Sequence, residues 1–147
     1  MTIENIWAYM DLIQVWIQWT SFSYNVYSWK PVTPPSWWYC YFRLENNSEK
    51  IWDDSTWTHL KEATFDFIIA SWDKSTPDAD MYILLNELSN VIVTQSWTRI
   101  ELPWGFIIYS VQEWAQSWVL RDVNENPYLI AQYKFIYQYR YANTPRL

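Results

Sequence analysis

Glycine is almost missing from this chain: one residue in 147, where average usage of about 7% would supply roughly ten. There is one cysteine, Cys40, so no disulfide can close within the chain. A lone cysteine on a strand-like run reads as a small buried hydrophobe. The single histidine, His59, stands far from Cys40 and without a partner motif, and no nucleophile-elbow sequence accompanies it. No glycine-rich phosphate loop is present, and no Cys/His cluster has metal-ligand spacing. No run of 18 apolar residues offers a membrane span, and the N-terminus lacks the basic segment and apolar core of a signal peptide. Basic residues are also scarce: ten Lys and Arg face sixteen Asp and Glu, for a net charge of −6. A surface that neutralises nucleic-acid phosphates needs the opposite balance. The expectation is a non-catalytic, soluble intracellular or virion protein, with no cofactor, no metal, no specific nucleic-acid binding and no membrane partner.

What is abundant is tryptophan, thirteen residues of it. Many stand where the flanking residues call for turns: Trp29 before Lys30-Pro31, Trp37-Trp38 after Pro35-Ser36, Trp52 before Asp53-Asp54, Trp72 before Asp73-Lys74, Trp97 after Ser96, and Trp104 before Gly105. Tryptophan favours strands and gains nothing in a polar turn, whereas glycine is the default where φ is positive. These residues could be ordinary core, against which their polar neighbours argue. They could form a carbohydrate-binding platform. They could also stand where the living protein has glycine, because some genetic codes read UGA as glycine and others as tryptophan. The third reading fits the near-absence of glycine best. It would place a glycine at Trp16, where the first helix should end, although Trp7 lies inside that helix and fits less well.

The length suits one domain over residues 1–147, large enough to bury about two thirds of its unfolded surface. Ile3, Ile6, Met10, Ile13 and Ile17 recur at helical steps, predicting a helix over about 3–15 with Thr2 as N-cap. Strands are expected over 22–27 and 38–45, followed by a long polar connection over 46–58. A third strand covers about 60–71. Thr76 as N-cap, Pro77 at the first position, and Asp78 and Asp80 in the first turn open a second helix over about 77–93. Its apolar stripe is Met81, Leu84, Leu85, Leu88, Val91 and Ile92. Short strands follow over 99–102 and 106–112, then a polar loop over 113–127. A final strand has Ala131, Tyr133, Phe135, Tyr137, Tyr139 and Tyr141 on one face. Segregated runs of strands and helices predict an α+β fold, a mostly antiparallel sheet of about 4–6 strands packed on two helices.

Glycosidase chemistry needs only two carboxylates, and the closest clusters are Asp53-Asp54 and Asp78/Asp80. The first sits in a polar loop and the second at a helix start, so both have ordinary explanations. The alternating face Tyr39, Tyr41, Arg43 and Glu45 is more informative, because tyrosine and arginine are enriched at protein–protein contacts. With the charged residues of the connections and short strands, it supplies the candidate subunit-contact set: Tyr39, Tyr41, Arg43, Glu45, Lys50, Asp53, Asp54, Arg99, Glu101, Arg121 and Asp122.

The order of elements also resembles a known family. An N-terminal helix precedes Thr33-Pro34-Pro35-Ser36 and the strand Tyr39-Cys40-Tyr41-Phe42-Arg43-Leu44. Then come Glu62-Ala63-Thr64-Phe65-Asp66-Phe67-Ile68-Ile69-Ala70, the helix start Thr76-Pro77-Asp78-Ala79-Asp80, and Arg121-Asp122-Val123-Asn124-Glu125-Asn126-Pro127 before a tyrosine-rich strand. Together these are similar to phage tail-terminator and related minor tail or head–tail connector proteins. The resemblance covers most of the chain and describes architecture, with no active site. It implies a structural virion subunit, assembled in the host cytoplasm. Such subunits form a ring, typically a hexamer, on the head-proximal end of the tail tube, where it stops tube growth and joins the head connector. The tryptophans depart from the family pattern, which prefers glycine in these turns. The rival expectation is a carbohydrate-binding module that uses exposed tryptophans.

Overall fold

In the computed structural model, residues 10–20, 22, 25–31, 38–51, 59–93 and 99–139 are described. The chain is α+β: two helices pack on one face of a curled, mixed seven-stranded sheet. The strands are β1 (Asn25–Tyr27), β2 (Trp38–Ile51), β3 (His59–Ser71), β4 (Ile100–Leu102), β5 (Phe106–Gln116), β6 (Leu120–Arg121) and β7 (Pro127–Tyr139); the helices are α1 (Met10–Gln18) and α2 (Asp78–Ile92). The order across the sheet is β1-β2-β3-β7-β5-β4, with β6 pairing β7.

Period-2 alternation of bulky residues makes the central strands. Cys40 and Phe42 of β2, Phe65, Phe67 and Ile69 of β3, and Leu129, Ala131, Tyr133, Phe135 and Tyr137 of β7 all project to the helix side, where they are buried. Their rings interlock: Phe67 stacks on Phe42 at 4.9 Å and meets Tyr133 edge-on at 5.4 Å, while Phe65 meets Phe135 edge-on at 4.9 Å. Offset and edge-to-face rings add to the burial of apolar area. The helices close this layer with Met10, Ile13 and Ile17 of α1 and Met81, Leu84, Leu85, Leu88 and Ile92 of α2. The Ser89 hydroxyl of α2 hydrogen-bonds the buried Tyr133 hydroxyl.

Several sequence expectations are corrected. α1 runs through Trp16 to Gln18, so Trp16 is not a C′ residue; it packs edge-on against Phe135 at 6.4 Å. The expected helix start over residues 3–9, the Pro34-Pro35 turn, Tyr24 and Tyr141 lie outside the described residues. β1 pairs with β2 in parallel, not antiparallel. A three-residue strand needs little chain to return to its start. Thr76 does not cap α2: Pro77 is the N-cap, and the Thr76 hydroxyl is 2.8 Å from that of Ser71, stitching the turn shut. In that turn Asp73 accepts from the Ser75 N–H at 3.0 Å and the Ser75 hydroxyl at 2.7 Å, which holds its carboxyl below the usual range. The first part of the connection expected over 46–58 is strand, because β2 continues to Ile51 opposite His59. Likewise β5 reaches Gln116 and β6 occupies part of the loop expected over 113–127.

Among the described residues, positive φ is confined to Gly105 (73°) and Glu125 (67°). No described tryptophan therefore sits where the backbone itself demands glycine. Trp19, Trp29, Trp72, Trp114 and Trp118 are nevertheless each more than half exposed.

Candidate functional site

Among the described residues, both helices lie on one face of the sheet. On the other face, the register aligns side chains of β2, β3 and β7 in three rows. Tyr39, Ala70 and Tyr128 form the first, Tyr41, Ile68 and Ile130 the second, and Arg43, Asp66 and Gln132 the third. The small Ala70 between two tyrosines leaves a depression along the first row. Tyr39 and Tyr41 stack at 6.2 Å, and Tyr27 of β1 meets Tyr39 edge-on at 6.5 Å. These residues make a second apolar cluster with Tyr39, Ile68 and Ala70 buried and the rest half-buried. Lys30, Trp72 and Asp122 extend the depression into a groove of about 260 Å³.

The third row is polar and self-satisfied. Asp66 is buried, and its two carboxylate oxygens accept separately from Arg43 Nε at 3.2 Å and from Gln132 Nε2 at 2.9 Å. A buried carboxylate needs such partners. Arg43 keeps half of its side chain in solvent and so remains available at the groove's end. Farther along the face, Lys134 pairs with Glu62 at 3.4 Å and lies 3.4 Å from the centre of the Trp114 ring. Burial is the main cause that pushes the Tyr39 and Tyr41 hydroxyls above their ordinary range. For Tyr39 the neighbouring Tyr41 and Asp122 add to the rise; for Tyr41 the Arg43 charge partly offsets it. Both therefore stay neutral hydrogen-bonding groups at neutral pH.

The loop at the open end is built by Asp122, whose Oδ1 accepts from the N–H groups of Asn124 at 2.8 Å and Asn126 at 2.9 Å. Arg121 fastens that loop to the start of α2 through Asp78 at 2.9 Å. This contact gives Asp78 a structural partner.

Of the residues singled out in the sequence, Tyr39, Tyr41, Arg43 and Asp122 come together in the groove, with Arg121 at its rim. Glu45 is exposed farther along β2. Lys50 lies near the end of β2 opposite Leu60. Arg99 and Glu101 pair with each other at 3.2 Å beside β4, across the sheet from the groove. Asp53 and Asp54 lie outside the described residues. Sequence reasoning singles out Trp72 only as one of the turn tryptophans and gives no site role to Lys30, Asp66, Tyr128, Ile130 or Gln132. The available signal is Asp66, an aspartate inside an apolar strand, where that residue is depleted.

Cys40 is fully buried on the helix side, and burial pushes its thiol above the ordinary range, so it stays a protonated thiol packed in the core. Among the described residues no group of His, Cys, Asp and Glu could hold a metal ion, and no helix is long and apolar enough to cross a membrane. Comparison with protein-family models and with curated proteins finds no match for this chain.

Proposed function

We propose that the chain is a non-catalytic structural subunit of a phage tail, of the tail-terminator type. Its copies assemble into a six-membered ring that caps the tail tube and joins it to the head. The observation that carries this reading is the open sheet face. It presents the half-buried Tyr27, Tyr41, Tyr128 and Ile130 and a half-exposed arginine, residue types enriched at protein contacts, and among the described residues neither helix packs on it. The −6 net charge suits a ring through which DNA passes without sticking. The same reading takes most of the thirteen tryptophans as glycines encoded by UGA, in keeping with the exposure of five of them beside turns and strand ends. Electron microscopy of the purified protein tests the ring, and the gene's surroundings test its place. Tail-tube and tape-measure genes alongside, with UGA at most tryptophan positions, support the reading; UGG at most of them removes the recoding part.

A carbohydrate-binding role is the second reading, favoured by the aromatic lining of the groove together with Lys30, Arg43 and Asp122. Against it, Trp72 alone of the five exposed tryptophans among the described residues stands in that lining. Polysaccharide binding that disappears in Trp72→Ala would establish it in place of the ring.

A further inference from the structure

The register leaves two stretches of sheet edge open. β1 lies beside β2 only as far as the pair Tyr27–Tyr41, although β2 runs on to Ile51. β4 lies beside β5 only as far as Ile108, although β5 runs on to Gln116. Among the described residues, no strand pairs with the outer side of Phe42–Glu45 in β2 or of Gln112–Gln116 in β5. Residues 112–116 are all exposed, and Trp114 is 61% exposed. The backbone N–H and C=O groups along such an edge are a template for another strand.

The two stretches match in height, bend and direction. Phe42, Phe67, Ala131 and Gln116 form one row across the sheet, Arg43, Asp66, Gln132 and Ala115 the next, and Leu44, Phe65, Tyr133 and Glu113 a third. Each edge carries a bulge beside that third row, at Glu45 in β2 and at Trp114 in β5. A bulged edge bends away from a flat strand, which disfavours an arbitrary partner. Two edges that bend beside the same row follow the same course. Between β2 and β5 lie three antiparallel pairings (β2 with β3, β3 with β7, β7 with β5), so β2 and β5 run in opposite directions. A second copy set alongside in the same orientation therefore offers its β5 antiparallel to β2, at the same height.

We propose that copies of this chain join by strand addition, Phe42–Glu45 of β2 in one copy pairing antiparallel with Gln112–Gln116 of β5 in the next. The proposal rests on the ring reading and states how the ring is joined. The contact is head-to-tail, the kind that closes into a ring when the rotation between copies allows. Strand addition keeps each face of the sheet on its own side. The helices of all copies then lie on one side of the joined sheet and the grooves on the other.

Hydrogen–deuterium exchange of the full native chain, compared between a concentrated assembled sample and a dilute monomeric one, tests the pairing. Amides that gain a strand partner are protected, so exchange over 42–45 and 112–116 should slow by about tenfold or more on assembly. Assembly with no slowing at either stretch would overturn the proposal and leave the ring reading standing. A short thiol cross-linker gives the pairing order, since the native Cys40 is buried, with circular dichroism showing that each variant folds. Glu45→Cys/Ala115→Cys should yield a ladder of multimers, and neither single variant should cross-link. Dimers from Glu45→Cys alone or from Ala115→Cys alone would mean that like edges meet and would overturn the proposal. A wild-type chain that is monomeric at every concentration would remove the ring reading with it.

Discussion

Replacing Phe67 by alanine tests the packing that holds the sheet to its helices. Phe67 is fully buried at the middle of β3, stacked on Phe42 at 4.9 Å and on Phe135 at 6.3 Å, with Tyr133 edge-on at 5.4 Å. Truncating a buried phenylalanine costs about 3–5 kcal/mol, the range reflecting how far the site collapses. Collapse is limited here, because the neighbouring rings are fixed in paired strands on both sides of β3. At least the middle of that range applies, about 4 kcal/mol. With a domain stability of about 5–15 kcal/mol, the substitution removes a large share of it. Urea denaturation followed by far-ultraviolet circular dichroism reads the effect. At a slope of about 2 kcal/mol per molar urea, the midpoint should fall by about 2 M with the slope unchanged. Tyr41→Ala on the open face is the control and should cost the monomer well under half as much, since Tyr41 is half-buried with no helix over it. A loss at Phe67 below about 1 kcal/mol would refute the idea that this ring cluster is the tightly packed centre of the core.

Other outcomes rest on the same geometry. Arg43→Ala removes one of the two side chains that donate to the buried Asp66 carboxylate, the other being Gln132. The half exposure of Arg43 discounts the penalty to about 1–2 kcal/mol. Asp66→Asn in the Arg43→Ala background should then cost less than in the native chain, with a coupling of about 1 kcal/mol in a double-mutant cycle; strict additivity would contradict the pairing. Tyr39, Tyr41 and Tyr133 have hydroxyls raised above the ordinary 10.0, chiefly by burial. The folded state therefore keeps protons that the unfolded state releases. Their contribution to stability is complete below about pH 10 and is lost as pH rises above it, so the urea midpoint should drop as the pH is raised from about 10 to about 12. An unchanged midpoint over that interval would show that these hydroxyls are not held protonated by the fold.

How legible these features are in the sequence depends on burial. α2 and β7 can be read because each places apolar residues on one side at its own period, and the core lies on that side. The end of β5 cannot. Residues 112–116 are all exposed, so no alternation marks them, and pairing with β7 alone keeps them in the sheet. The polar stretch 46–50 looks like a loop for a related reason: its strand character comes from the ladder with β3, which composition does not encode. The place of β1 at the sheet edge, with Gln14 and Gln18 of α1 on the outward N–H and carbonyl of Val26, is a tertiary fact. The groove is half visible. Tyr39, Tyr41 and Arg43 follow from alternation along β2, but their partners Asp66, Tyr128 and Gln132 come into place only through the register of β3 and β7. Thr76 looks like a cap because it precedes a proline and two aspartates; its hydroxyl is instead used by Ser71.

The central claim is that this chain exists to assemble, and sedimentation velocity of the wild-type protein over a wide concentration range tests it most directly. A single closed species of about six times the monomer mass is expected, dissociating on dilution and insensitive to added polysaccharide. A strictly monomeric boundary at the highest concentration would contradict it.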